Sequence, residues 1–384
     1  MIAAKSAPRL RERFAGLDRC TYLISHSMGA APLAARDELV AFWEDWSRDG
    51  PAAWERWLPA IDDIADGIGA LVGAPPGSVG LAPNVSSLQE TLASAFDWNG
   101  SRNVVVYEQL QFPSLLYVWD AWRRRGAQPI CVPSDDGRTI STERILDAID
   151  ERTRIVLLSH AYFQSGALVD VAQVAARAHA CGALLVVDIY QTAGVVPIDV
   201  VSLDIDVAVG GSHKWLCGGP GCGYLYVRPE LRELLEPTAT GWMAHAAPFA
   251  FEPPPMRYAA GSKRFGNGTP PIECYLGARA GHRLIREAGV ENIRAHNLAL
   301  TATILAEADE RGIRSPTPRD AAQRTGWIGL DVQDGERLVR ELEARRIFVD
   351  YRPGCGIRVG PHFYTSAEEI ATFFRALDEL RARP

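Results

Sequence analysis

Lys214 stands in "GGSHKWLCGGPGCGYLYV", directly after the apolar run "DVAVGG", and Asp188 ends an earlier run, "ALLVVD". In sheets covered by helices, ligands gather beyond the carboxyl ends of strands, so both residues lie where chemistry is expected. A lysine in an apolar pocket, or beside another cation, loses its proton readily and exposes an amine for Schiff-base formation. A buried carboxylate needs a cationic or hydrogen-bonding partner. Taken singly, Lys214 reads equally as a surface or phosphate-contacting lysine, and Asp188 as a turn or helix cap.

A nucleotide phosphate loop is excluded, because that pattern sets Gly before the lysine and Ser or Thr after it, whereas Lys214 lies between His213 and Trp215. Cys217 and Cys222 lack a second Cys or His pair at zinc-ligand spacing. Ser86 and Ser87 open the helical pattern "SSLQETLASAF", where Ser86 with Gln89, or Ser87 with Glu90, predicts a capping box. The same helix start suits a phosphate. Phe112, held out of helical geometry by Pro113, suits core packing or stacking on a flat ring. Together, a lysine for an aldehyde, a carboxylate for a pyridine nitrogen, an anion-binding helix start and an aromatic ring suit pyridoxal 5'-phosphate (PLP), an electron sink for substrate carbanions. No metal is implied.

These residues need elements to hold them. Between Asn103 and Val227 the runs "NVVVYE", "QPICVP", "RIVLLSH", "ALLVVD", "DVAVGG" and "GYLYV" read as buried strands, with helices such as "VAQVAARAHA" between some of them. That pattern predicts an α/β fold with a mostly parallel sheet flanked by helices. Helical patterns precede it in "APLAARDELVAFWEDW" and "WLPAIDDIADGIGALVGA", and the Pro-rich "APFAFEPPPMRY" interrupts it. From Ile272 a long helix leads into short runs, "GWIGLDV", "RIFVDYR" and "GIRVG", which predict a smaller α+β domain. The expected division is an N-terminal segment 1–20, a large domain 21–271 and a small domain 272–384.

The whole chain fits this picture. Its 384 residues, 47% apolar and 23% charged, suffice for two domains and a large core. The net charge of -7 is spread without a long basic run, which excludes a nucleic-acid or anionic-membrane partner. The start "MIAAKSAPRLRERFAG" has no signal-peptide core, and no stretch nears the roughly 18 apolar residues of a membrane helix. A cytoplasmic location is expected, with seven scattered cysteines as reduced thiols.

The blocks "YLISHSMGAAP", "EQLQFPS", "SHAYFQSGALVD", "VVDIYQTAGVVPIDVV", "GWMAH" and "IRVGPHFYTSAEEI" follow one another between about Tyr22 and Leu377. In them the chain resembles the class V, fold-type I, PLP-dependent enzymes, and among these the kynureninases. The resemblance implies that Lys214 forms the Schiff base and shuttles a proton while Asp188 keeps the pyridine nitrogen protonated. It further implies Phe112 stacking on the cofactor, Val85, Ser86 and His213 at its phosphate, and Gln191 at the ring edge. Arg358 would fork onto the substrate α-carboxylate, with Trp242 and Ser27 also at the substrate. Thr269 would reach the phosphate of a neighbouring subunit, in a homodimer with composite sites.

The implied activity is hydrolysis of a side-chain carbon–carbon bond in an amino acid. Three departures, Gly268-Thr269 in place of Ser-Asn, Gln191 in place of His and His213 in place of Tyr, approach the aminotransferase, epimerase and desulfurase members instead. Cys355 is then a candidate nucleophile for sulfur chemistry, or a buried structural thiol.

Overall fold

The computed structural model describes residues 10–382, so the first nine residues of the expected N-terminal segment lie outside the described residues. In chain order the main elements are β1 (Thr21–Tyr22), α1 (Leu33–Asp49), α2 (Trp54–Leu71), β2 (Val79–Ala82), α3 (Val85–Ala93), β3 (Val104–Glu108), α4 (Pro113–Trp122) and β4 (Gln128–Val132). Next come α5 (Thr142–Asp147), β5 (Thr153–Ser159), α6 (Val171–Ala180), β6 (Leu184–Asp188), β7 (Val207–Gly211), β8 (Gly223–Val227) and α7 (Pro229–Arg232). The C-terminal part holds α8 (Ile272–Ala288), α9 (Val290–Glu310), β9 (Ile328–Leu330), α10 (Gly335–Ala344), β10 (Ile347–Phe348), β11 (Asp350–Arg352), β12 (Gly356–Val359) and α11 (Ala367–Arg381).

Each of the six apolar runs forms a strand, and a seven-stranded sheet assembles them in the order β2-β8-β7-β6-β5-β3-β4. Only β8 runs against its neighbours; β7, β6, β5, β3 and β4 are parallel. Every residue of β3, β7 and β8 is buried, as a sheet covered on both faces requires. The chain goes from β3 to β4 on one side and returns to β5 on the other. This reversal opens a crevice at the carboxyl ends, where Glu108, Ser159, Asp188 and Gly211 end their strands.

Helices seal both faces. On one, α6 buries Val171, Val174, Ala175 and Ala178, with Asp170 capping its start by accepting the Gln173 N–H (3.1 Å). On the other, α3 and α4 bury Leu88, Leu92, Leu115 and Trp119 against Val105, Leu157 and Val186.

A second apolar core joins Leu300, Ile304, Ile328, Ile357, Phe373 and Phe374. Its antiparallel sheet, β11-β12-β9, carries Arg358. The two cores share the C-terminal helices. Ile272, Tyr275, Leu284 and Ile293 belong to the core of the large sheet, whereas Leu300 belongs to the second core, so α9 bridges the two. Leu23 also joins the second core, and Thr21–Tyr22 pair in parallel with Ile347–Phe348. The start of the chain is thereby stitched to its end. Among the described residues no helix is long and apolar enough to cross a membrane.

Candidate active site

A cavity of ≈ 280 Å³ opens at the carboxyl ends of β3, β5, β6 and β7. Seven expected site residues line it together: Val85, Ser86, Phe112, Asp188, Gln191, His213 and Lys214. Lys214 follows β7, and its Nζ lies 4.5 Å from the ring centroid of Tyr190 and 5.5 Å from that of Phe112. Loss of hydration lowers its pKa to about 8; Asp188 opposes this and Arg358 adds to it. The amine is therefore partly neutral near physiological pH. Gly29 crosses the back of this loop, where its N–H bonds the His213 carbonyl (2.8 Å) and a Cβ would overlap the Lys214 carbonyl.

Asp188 ends β6 in the buried interior and accepts the Tyr190 N–H (2.8 Å). Burial pushes its carboxyl up to about 6, against the Tyr190 hydrogen bond and the charge of Lys214. A cation placed against it would restore its ordinary acidity. Phe112 precedes Pro113, the first residue of α4, in extended geometry that leaves its ring exposed at the cavity, edge-on to Phe163.

The start of α3 differs from the expected capping box. Asn84 is the cap, its side chain accepting the Ser87 N–H (3.0 Å). Gln89 and Glu90 instead accept the indole N–H groups of Trp119 (3.1 Å) and Trp122 (2.7 Å), because the helix packs against α4. Val85 and Ser86 are the first two helical residues and line the cavity, so their N–H groups have no acceptor within the helix and are free for an anion.

His213 bonds through Nδ1 to the Tyr190 hydroxyl (2.9 Å), and burial, reinforced by Lys214, lowers its pKa to about 4. It is neutral. Gln191 donates Nε2 to the His26 carbonyl (3.2 Å), while its buried Oε1 has no partner among the described residues.

Residues 86–376 match the family model of the class V aminotransferases. The chain belongs to this family. It is 29% identical over 401 aligned residues to the kynureninase of Pseudomonas fluorescens, covering 99% of this chain and 94% of that one. Identity to the kynureninase of Burkholderia pseudomallei is 30% over 373 residues, 91% and 86% of the two chains. An uncharacterized aminotransferase of Bacillus subtilis, YcbU, is 29% identical over 373 residues, 97% of each. Among solved structures, the cystine lyase C-DES, carrying glycine covalently linked to PLP, superposes with a TM-score of 0.87 over 96% of this chain and 99% of its own, at 22% identity. The cysteine desulfurase of Thermococcus onnurineus follows at 0.84, covering 97% of both chains at 20% identity. These two likenesses establish the fold.

As a class V enzyme the protein uses PLP, and the cavity fits that group. It offers an amine over two aromatic faces, a buried carboxyl with no ion-pair partner in contact, a helix start with free N–H groups, and the Gln191 amide.

Four other expected residues stand outside the cavity. Arg358 on β12 lies behind Phe163, donating Nη1 to its carbonyl (3.0 Å). Its Nε and Nη2 already grip Asp350 of β11 (2.8 and 2.5 Å), which also bonds His26 Nε2 (3.0 Å). Burial alone would raise the Asp350 pKa; His26 and Arg358 outweigh it and hold the carboxyl well below its usual range. Ser27 is in the turn whose N–H bonds the Ile24 carbonyl, two residues from Gly29. Trp242 packs edge-on against Trp54 and Phe249 in a separate aromatic cluster. Thr269 lines a different cavity of ≈ 460 Å³ with Met243 and Asn267.

Tyr190, Asn84, Ser159 and Phe163 line the site without having been singled out from the sequence. Ser159 was legible as the next-to-last residue of "RIVLLSH", where the strand ends. Tyr190 sits between two residues that were chosen, and Asp350 became visible only through its register opposite Arg358. Cys355 is buried, and burial pushes its thiol up to about 11.

Proposed function

We propose that this class V enzyme binds an amino acid over Lys214 and hydrolyses a carbon–carbon bond in its side chain, in the manner of a kynureninase. The observation that carries the reading is the Lys214 amine, held between Phe112 and Tyr190 with a pKa lowered to about 8. Such an amine is free to bond the cofactor aldehyde and afterwards to take a proton from the substrate α-carbon. PLP supplies the electron sink for the charge left on that carbon. Asp188 holds positive charge at the pyridine nitrogen. Val85 and Ser86 N–H groups, with His213, would hold the phosphate, and the Gln191 amide would lie at the ring edge. Arg358 has unused hydrogens on Nη1 and Nη2 for an α-carboxylate. Phe163, the aromatic lining residue left free by these roles, suits an aryl side chain. Trp242, Ser27 and Thr269 act at a site completed by a second copy, for which α1 presents an unburied apolar face.

A second reading within the family, as aminotransferase, carbon–sulfur lyase, epimerase or cyclase, is favoured by Gln191 and His213, which replace the kynureninase His and Tyr at the cavity itself. Persulfide chemistry on Cys355 is disfavoured by its burial and raised pKa.

Holoenzyme incubated with kynurenine is expected to consume one water and release anthranilate and alanine in equal amounts. K214A is expected to lose both that activity and the cofactor absorbance. Product from other amino acids in a panel, with none from kynurenine, selects the second reading. A cofactor band unchanged in K214A overturns both.

A further inference from the structure

Two consecutive glycines end β7, and a tyrosine covers each. A Cβ on Gly210 would overlap the Tyr224 phenol, and one on Gly211 would overlap the hydroxyl and ring of Tyr190. Tyr224 is fully buried and away from the cavity. Tyr190 lines the cavity, faces Lys214 Nζ with its ring and reaches His213 Nδ1 with its hydroxyl. One side chain thus touches the wall, the amine and the imidazole, and one missing methyl group leaves room for it.

We propose that Tyr190 and Gly211 are a matched pair that builds a wall of the cofactor slot beside Lys214 and sets the tautomer of His213. This rests on the reading that PLP lies over Lys214 and names a determinant within it. The Lys214 amine lies over the rings of both Tyr190 and Phe112, so the Tyr190 ring would offer a flat apolar surface to a planar cofactor ring held on Lys214. The hydroxyl donates to His213 Nδ1, which leaves the proton of the neutral imidazole on Nε2. That N–H is then available to an anion in the cavity, alongside the amides of Val85 and Ser86. Two contacts fix Tyr190 in this position, its N–H bonded to Asp188 and its ring packed on Gly211. A methyl group at position 211 would drive the ring toward the cavity, into the space of the cofactor.

The pair is testable by a double-mutant cycle read on cofactor affinity rather than turnover. Protein stripped of cofactor and retitrated with PLP, followed by absorbance, is expected to bind about tenfold more weakly in G211A, and the Y190A/G211A double variant to recover to within about threefold of Y190A. Long-range proton–nitrogen NMR of the histidines is expected to show His213 protonated on Nε2 in the native protein and in a mixture of tautomers in Y190F. Equal PLP affinity in G211A and the native protein overturns the pairing, as does a loss in G211A that Y190A leaves in place. An unchanged His213 tautomer in Y190F overturns the role of the hydroxyl. Should the native chain take up no PLP at Lys214, with K214A behaving alike, the underlying site reading fails instead, and the two failures are distinct.

Discussion

Arg358, proposed to receive the substrate carboxylate, is already paired. Asp350 holds the guanidinium by Nε and Nη2 in a forked arrangement, and His26 steadies the same carboxylate. A buried arginine without that partner turns to other acceptors, so Asp350 acts as a positioning residue. In D350N the KM for the amino-acid substrate is expected to rise about tenfold while kcat moves less than about threefold, which steady-state kinetics separates. The same variant should lose roughly 3 kcal/mol of stability, because a buried charge is left poorly compensated. Lys214 and Asp188 were legible in the sequence since both sit at the ends of apolar runs, where a sheet delivers side chains to a crevice. Asp350 was not, because its role comes from the strand register that sets it opposite Arg358.

At the scale of elements, α1 poses the clearest question. Its 17 residues include none that is buried, and Val40 and Trp43 are 48% and 61% exposed beside a groove that also takes in Leu33 and Leu39. On its other side Glu38 holds Arg283 (2.9 Å) and Arg279 of α8. A helix fixed to its own chain by ion pairs while showing tryptophan to solvent is shaped for a second apolar surface. The V40E/W43E variant is expected to sediment as a monomer where the native protein sediments as a dimer, and to bind PLP more weakly if Thr269 completes the neighbouring site. The six central strands and the helices α6 and α8 were readable from periodicity. The cap of α3 was not: Gln89 and Glu90 match a capping box locally, yet two tryptophans of α4 claim them.

Across the whole molecule, buried titratable groups set the pH range of stability. His26, His282 and His362 are buried neutral, with pKa values lowered by burial to about 4, 3 and 3. Unfolded they would titrate near 6.5, so their stabilisation is present above that pH and lost as pH falls toward 4. Glu108 and Asp188 have the opposite sign. Burial raises them to about 8 and 6, so their contribution is present at low pH and lost as pH rises through those values. Three histidines outweigh two carboxyls below about pH 6.5, and Glu108 dominates from there toward 8. Calorimetry is expected to find the highest melting temperature between about pH 6 and 7, and E108Q to flatten the fall on the alkaline side.

The sequence by itself determined the α/β class, the strands, the cofactor and the residues that strand ends deliver to the cavity, because hydrophobic periodicity and strand-end position are local properties. Tertiary structure decided the rest. It pairs residues 21–22 with 347–348, sets Asp350 on Arg358 and fits Tyr190 over Gly211. These contacts depend on strand pairing and register or on space left by an absent side chain, and no local pattern encodes either.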